Sequence, residues 1–169
     1  MNHPYLGSFW NVVSAAVLSL CAIVTGCAKT QYQELAGSPD GTAELLVVNS
    51  DEGSPIQHRH GPFLNLVHQP NRVVLVDFWG PHCGPCLHLA PELEKIAQQY
   101  PERVSVVKVD VESAENAELA VFFGINAIPE IRIFVEGRSS GAIHGYVDAA
   151  RIDRQLESTF RLLDDAPES

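Results

Sequence analysis

The chain has 169 residues, of which 46% are hydrophobic and 19% charged, and its formal net charge is -10. That length suits one ordinary domain with some chain left for ends and linkers. The acidic balance, with no basic cluster to offset it, argues against nucleic acid as a partner, because phosphate binding needs a positive footprint. Four cysteines are too few and too unevenly placed for a disulfide-stapled scaffold. They form two groups, Cys21 and Cys27 near the start and Cys83 and Cys86 further on.

Residues 1–26 contain no Asp, Glu, Lys or Arg, and 9–26 are almost wholly apolar. Such a stretch is the hydrophobic part of an export signal or a short membrane span. Its end, Val24-Thr25-Gly26-Cys27, resembles the lipobox of bacterial lipoproteins: a branched apolar residue, two small residues, then the cysteine to be lipidated. The resemblance implies that residues 1–26 are a cleaved signal peptide, that Cys21 leaves with it, and that Cys27 carries the lipid anchor. The chain departs from that pattern in its n-region, where only His3 and the amino terminus supply positive charge. An uncleaved transmembrane anchor is the alternative. Either way the expected location is the cell envelope, with the domain anchored to the membrane and facing the periplasm or extracytoplasmic space. Ala28 and Lys29 lack an Asp retention signal, which under Gram-negative sorting implies the outer membrane.

Residues 27–43 are polar, with Gly, Pro and Ser, and read as the lipidated cysteine and a flexible tether. Residues 44–49 are a strand candidate, 53–61 (GSPIQHRHG) read as a loop, and 63–68 as a short helix. The near-continuous apolar run 73–78 suits a central strand buried on both faces. From 83 to 100, Cys86, Leu89, Ala90, Leu93, Ile96, Ala97 and Tyr100 recur at helical spacing, with Pro91 predicting a kink. Residues 104–109 are the next strand, which makes the unit strand-helix-strand with parallel strands. Residues 114–123 look helical. The runs 131–135 and 142–147 flank a Gly/Ser-rich turn and read as an antiparallel hairpin. A last helix over 148–163 puts Ile152, Leu156, Thr159, Phe160 and Leu163 on one side, and an acidic, frayed tail follows over 164–169.

The segment Trp79-Gly-Pro-His-Cys83-Gly-Pro-Cys86 stands at a strand-to-helix junction. A helix N-terminus there stabilises an exposed sulfur as the thiolate, the attacking species in disulfide exchange. The second cysteine, one turn on, is placed to resolve a mixed disulfide. A zinc half-site with His82 and His88 is the structural alternative, but structural zinc draws on a second, separated ligand pair and none is evident. Asp77 sits in the most apolar strand, where a carboxylate is costly unless it is paired or becomes neutral.

Element order and motifs together resemble the thioredoxin family over residues 44–163. The resemblance implies an α/β thioredoxin fold, a central mixed β-sheet flanked by α-helices on both faces. It implies Cys83 as nucleophile, Cys86 as resolving thiol, and Asp77 as the buried acid that assists proton transfer at Cys86. Lys108 takes the place of the lysine near that acid. Gly124-Ile125-Asn126-Ala127-Ile128-Pro129 is similar to the segment leading into the family's cis-proline loop, which gives Ile128 and Pro129 a role in holding a client peptide. Trp79, Gly84 and Pro85 match the remaining client-binding rim, Pro91 the helix kink, and Gly145 a late glycine near the site. Two residues depart from the family pattern. His82 replaces a tryptophan before the first cysteine; a protonated imidazole there favours the thiolate. Glu130 follows the proline where thioredoxins often carry Thr, and opposes that effect by like-charge repulsion. His58 and His60 read as surface residues rather than ligands.

The favoured function is a membrane-tethered thiol-disulfide oxidoreductase working as a disulfide reductase. Its substrates would be exported protein disulfides, and a membrane electron donor would resupply it. No cofactor or metal is expected beyond the Cys83/Cys86 couple itself. The alternatives are a disulfide oxidase or isomerase, and a metal-binding, copper-delivery module. A peroxidase is a poorer match, because the Thr-x-x-Cys signature is missing.

Overall fold

The computed structural model describes residues 38–48 and 56–164. Cys27, the 1–26 segment and most of the tether lie outside them. Among the described residues no helix is long and apolar enough to cross a membrane.

Six strands form one sheet: β1 (Thr42–Val47), β2 (Gln57–Pro62), β3 (Val73–Trp79), β4 (Val104–Asp110), β5 (Glu130–Val135) and β6 (Arg138–His144), in the order β2-β1-β4-β3-β5-β6. Only β3 and β4 pair in parallel, joined through helix α2 (Gly84–Gln99); the other neighbours are antiparallel. The remaining helices are α1 (Phe63–Val67), α3 (Ala117–Phe122) and α4 (Ala149–Asp164), with a 3-10 turn at Ala114–Asn116 leading into α3.

Alternate residues of each strand point to opposite faces, so the sheet carries two cores. One holds Leu75, Val106, Ile131 and Ile133 under Leu89, Leu93 and Ile96 of α2 and Ile152 and Leu156 of α4. The other packs Val74, Val76, Phe78, Val107 and Phe134 against Phe63 and Leu66 of α1 and Leu119 and Phe123 near α3. β3 is buried along six consecutive residues, 73–78, as expected for a strand covered on both sides.

Four expectations need correction. The segment read as a loop contains β2, which pairs with β1 along its length. It escapes notice because an exposed edge strand has no apolar alternation, and it ends on Pro62, a residue tolerated at sheet edges. β1 starts at Thr42, so Thr42 and Ala43 belong to the sheet and not to the tether. The hairpin turns at Glu136 and Gly137, with φ of 51° and 72°, the two-residue turn that suits strand twist. Ser139, Ser140 and Gly141 therefore lie within β6, beside a register shift at Ile133/Phe134. Lastly, Asp164 is helical, and its carboxylate meets Arg103 Nη2 at 2.6 Å.

Candidate active site

β3 delivers the site. It ends at Trp79, a tight turn follows in which Cys83 N–H donates to the Gly80 carbonyl, and α2 begins at Gly84. Cys83 is the N-cap: its Sγ accepts from the Cys86 N–H at 3.2 Å, so a backbone donor of the first helical turn points at that sulfur. Cys83 and Cys86 are joined as a disulfide with Cα atoms 5.3 Å apart. Cys83 is half-buried and Cys86 is 2% exposed. Gly84 and Pro85, between them, are exposed.

Asp77 is 1% exposed, and neither carboxylate oxygen has a hydrogen-bond partner within the protein. Burial lifts its pKa from the ordinary 3.8 to about 7, with Lys108 pulling in the opposite direction. Lys108 is its register partner on β4, and the ammonium lies 4.2 Å from the centre of the Trp79 ring. Asp77, Lys108 and Trp79 are thus gathered on one face of the sheet, the face that α2 covers.

The Ile128-Pro129 peptide bond is cis. Pro129 is buried and its carbonyl accepts from Gly145 N–H at 2.8 Å; Ile128 is half-buried against the Phe78 core. Because β5 runs antiparallel to β3 with Glu130 opposite Phe78, this turn lies at the same end of the sheet as Trp79 and the disulfide.

The profile of the Thioredoxin family matches residues 54–158. The chain is 43% identical over 84 residues to Thioredoxin 1 of Nostoc sp., covering 50% of this chain and 77% of that one. It is 40% identical over 93 residues to thioredoxin of Alicyclobacillus acidocaldarius, covering 55% and 87%. To the chloroplastic M-type thioredoxin of Chlamydomonas reinhardtii it is 38% identical over 95 residues, covering 56% and 66%. The chain belongs to the thioredoxin family. Thioredoxins are disulfide oxidoreductases that act on protein disulfides and need no cofactor beyond their own redox-active cysteines.

The two residues that depart from the thioredoxin pattern are both engaged. His82 is 86% exposed, and its Nδ1 lies 2.6 Å from Glu112 Oε2. The hydrogen bond to Glu112, and then its charge, raise the His82 pKa. Glu130 is almost fully buried: Arg132 Nε meets it at 2.5 Å and His144 Nδ1 at 3.2 Å. The expected repulsion from Glu130 is therefore offset locally by Arg132, which is itself fixed to the Phe123 carbonyl at 2.9 Å. Sequence reasoning missed Glu112, Arg132 and His144. Arg132 was findable, since residues two apart on a strand share a face; Glu112 belongs to a different loop and leaves no local signal. Gly80 was also missed: a Cβ there would meet the Glu112 carboxylate. Among the described residues no group of three or more His, Cys, Asp or Glu is arranged to hold a metal ion. The role given to Cys27 falls on a residue outside the described ones.

Proposed function

We propose that the chain is a membrane-tethered, extracytoplasmic disulfide reductase, with Cys83 as nucleophile and Cys86 as resolving thiol. The observation that carries this reading is the contrast between the two sulfurs. Cys83 is reachable at the helix N-terminus, and Cys86 is buried behind it. In the reduced protein the Cys83 thiolate attacks one sulfur of a client disulfide, forming a mixed disulfide and releasing one client thiolate. Cys86 then gives its proton to the Asp77 carboxylate and attacks Cys83 Sγ. The second client thiolate leaves, the Cys83–Cys86 disulfide forms, and two electrons have passed to the client. Lys108 steadies the ionised form of Asp77 between turnovers. Trp79, Gly84, Pro85, Ile128 and Pro129 form the rim on which the client strand lies. A membrane electron donor returns the disulfide to the dithiol, and the lipid on Cys27 keeps the domain beside that donor.

The test is trapping. With Cys86→Ser the mixed disulfide at Cys83 persists, and exported proteins are expected in the captured set; capture no higher than with Cys83→Ser removes the reading. His82 favours a second reading, since a raised imidazole pKa beside Cys83 stabilises the thiolate and makes the couple more oxidising. The reduction potential decides. A value near that of thioredoxin, about -270 mV, supports the reductase, and one near about -120 mV supports an oxidase.

A further inference from the structure

One line of ionisable side chains crosses the sheet. Pairing sets His60 of β2 opposite Glu44 of β1, Glu44 opposite Lys108 of β4, and Lys108 opposite Asp77 of β3. Directly opposed residues share a face, with Cβ atoms about 5 Å apart. On one side of this line the next row on that face, Leu46, Val106 and Leu75, is apolar and part of the core, with His58 opposite Leu46 at the sheet edge. On the other side of the line Asp110 pairs with Trp79. Its Asp77 end is sealed beneath α2, with both carboxylate oxygens lacking a protein partner. Its His60 end is open, the imidazole being 77% exposed. A cavity of about 250 Å³ lined by His60, Glu44, Lys108, Trp79 and Asp110 connects the middle of the line to solvent. Glu44 is held from the edge strand, 2.7 Å from His58 Nδ1 and 3.8 Å from His60 Nε2.

We propose that Glu44, fixed by His58 and His60, is a positioning residue for the exchange reaction: acting across Lys108, it governs how readily Asp77 holds a proton. The inference rests on the reading of Asp77 as the proton acceptor for Cys86. The Lys108 ammonium, one strand away, favours the Asp77 carboxylate. Glu44, on the other side of Lys108, opposes it. Protonation of His58 or His60 cancels Glu44 and restores the full effect of Lys108. The other groups facing this end of the line are few. β4 adds Asp110, α2 presents the Cys83–Cys86 disulfide, and the His82–Glu112 pair stands on the loops beyond Trp79. On β5 the residue opposite Asp77 is Ile131; Glu130 and Arg132 oppose Phe78 and Val76, whose side chains lie in the other core.

A unit charge about 10 Å away at an effective dielectric of about 20 to 40 moves a titration by roughly 0.5 to 1 pH unit. The experiment follows the Asp77 carboxyl carbon by NMR against pH in the oxidised full chain in detergent, with Asp77→Asn to assign the signal. Glu44→Gln should lower the Asp77 midpoint by about 0.5 pH unit or more, and Lys108→Gln should raise it. The double variant His58→Gln/His60→Gln leaves Glu44 uncancelled and should raise the midpoint; it also serves if Glu44→Gln fails to fold. An unchanged or raised midpoint in Glu44→Gln, or an unchanged one in the histidine double variant, overturns the proposal. The pH profile for resolving a mixed disulfide at Cys83 separates the two levels. If the Asp77 midpoint moves and the profile does not, the coupling through Lys108 stands and the proton role of Asp77 falls. A profile that moves with the midpoint supports both.

Discussion

Asp77 lies 1% exposed in the middle of β3, and its pKa rises to about 7 because water is excluded. The consequence for stability has a definite sign. Between the ordinary 3.8 and about 7 the unfolded chain ionises this group while the folded chain keeps it protonated. Stability attributable to Asp77 is thus intact below about pH 4 and falls as pH rises through 7. Asp77→Asn should stabilise the fold at pH 8 by up to about 4 kcal/mol and leave it unchanged near pH 3.5, as read by thermal unfolding at the two pH values. The same variant should slow resolution of a mixed disulfide trapped at Cys83, measured by release of the client thiol; unchanged kinetics would remove Asp77 from the proton step. The fold also holds a proton on His82, there through a partner and not through burial. Glu112 holds its proton, so Glu112→Gln should lower the imidazole midpoint in an NMR titration, and a midpoint that stays put would show that the 2.6 Å contact is not held in solution. Asp77 was legible in the sequence as a carboxylate stranded in an apolar strand. The Glu112 partner was not, because β4 and the turn after it had to be placed beside Gly80 first.

The elements that position the disulfide are the ones the sequence specifies most strongly. β3 is legible from its uninterrupted apolar run, and α2 from a stripe that includes Leu89, Leu93 and Ile96, each fully buried. β2 was illegible: five of its six residues are His, Arg, Gln and Pro types with exposed side chains, and its strand character comes from the β1 ladder alone. The β5–β6 hairpin was legible as a hairpin but not in its turn, because Glu136 takes a positive φ that composition does not announce. Glycines at the site separate two effects. Gly145 has φ +75° and donates to the Pro129 carbonyl, so Gly145→Ala should cost about 1 to 2 kcal/mol through backbone strain, although nothing lies within 4 Å of the added Cβ. Gly84, at the first turn of α2, also has open space around its Cβ position. Gly84→Ala should leave thermal stability unchanged or slightly raised. Equal losses in both variants would show that φ is not what distinguishes them.

For the molecule as a whole, the proposed anchor determines where the chemistry takes place. If Cys27 carries lipid, Cys27→Ser should retain the signal unprocessed and shift the mass of the membrane-bound chain, as read by intact-mass measurement after fractionation. An unchanged mass and membrane association would favour an uncleaved span. The sheet, the two cores and the disulfide are formed by described residues, and cysteine chemistry in vitro is expected to be the same with or without lipid.

The sequence by itself determined the fold class, the strand-turn-helix carrying Cys83 and Cys86, and the membership of Asp77 in a buried strand. The last two are local patterns of hydrophobicity and spacing, and the fold class follows from the order of such elements together with the family resemblance. Only the tertiary structure decided which charges face one another: Glu112 with His82, Arg132 and His144 with Glu130, and the row His60–Glu44–Lys108–Asp77. Those pairings depend on strand order and register. Register brings residues far apart in the chain to within about 5 Å, and a one-residue slip would send each to the opposite face of the sheet. The Cys-Gly-Pro-Cys segment thus announces disulfide exchange, while the ionisable groups gathered beneath it are the ones we propose set the pH at which it proceeds.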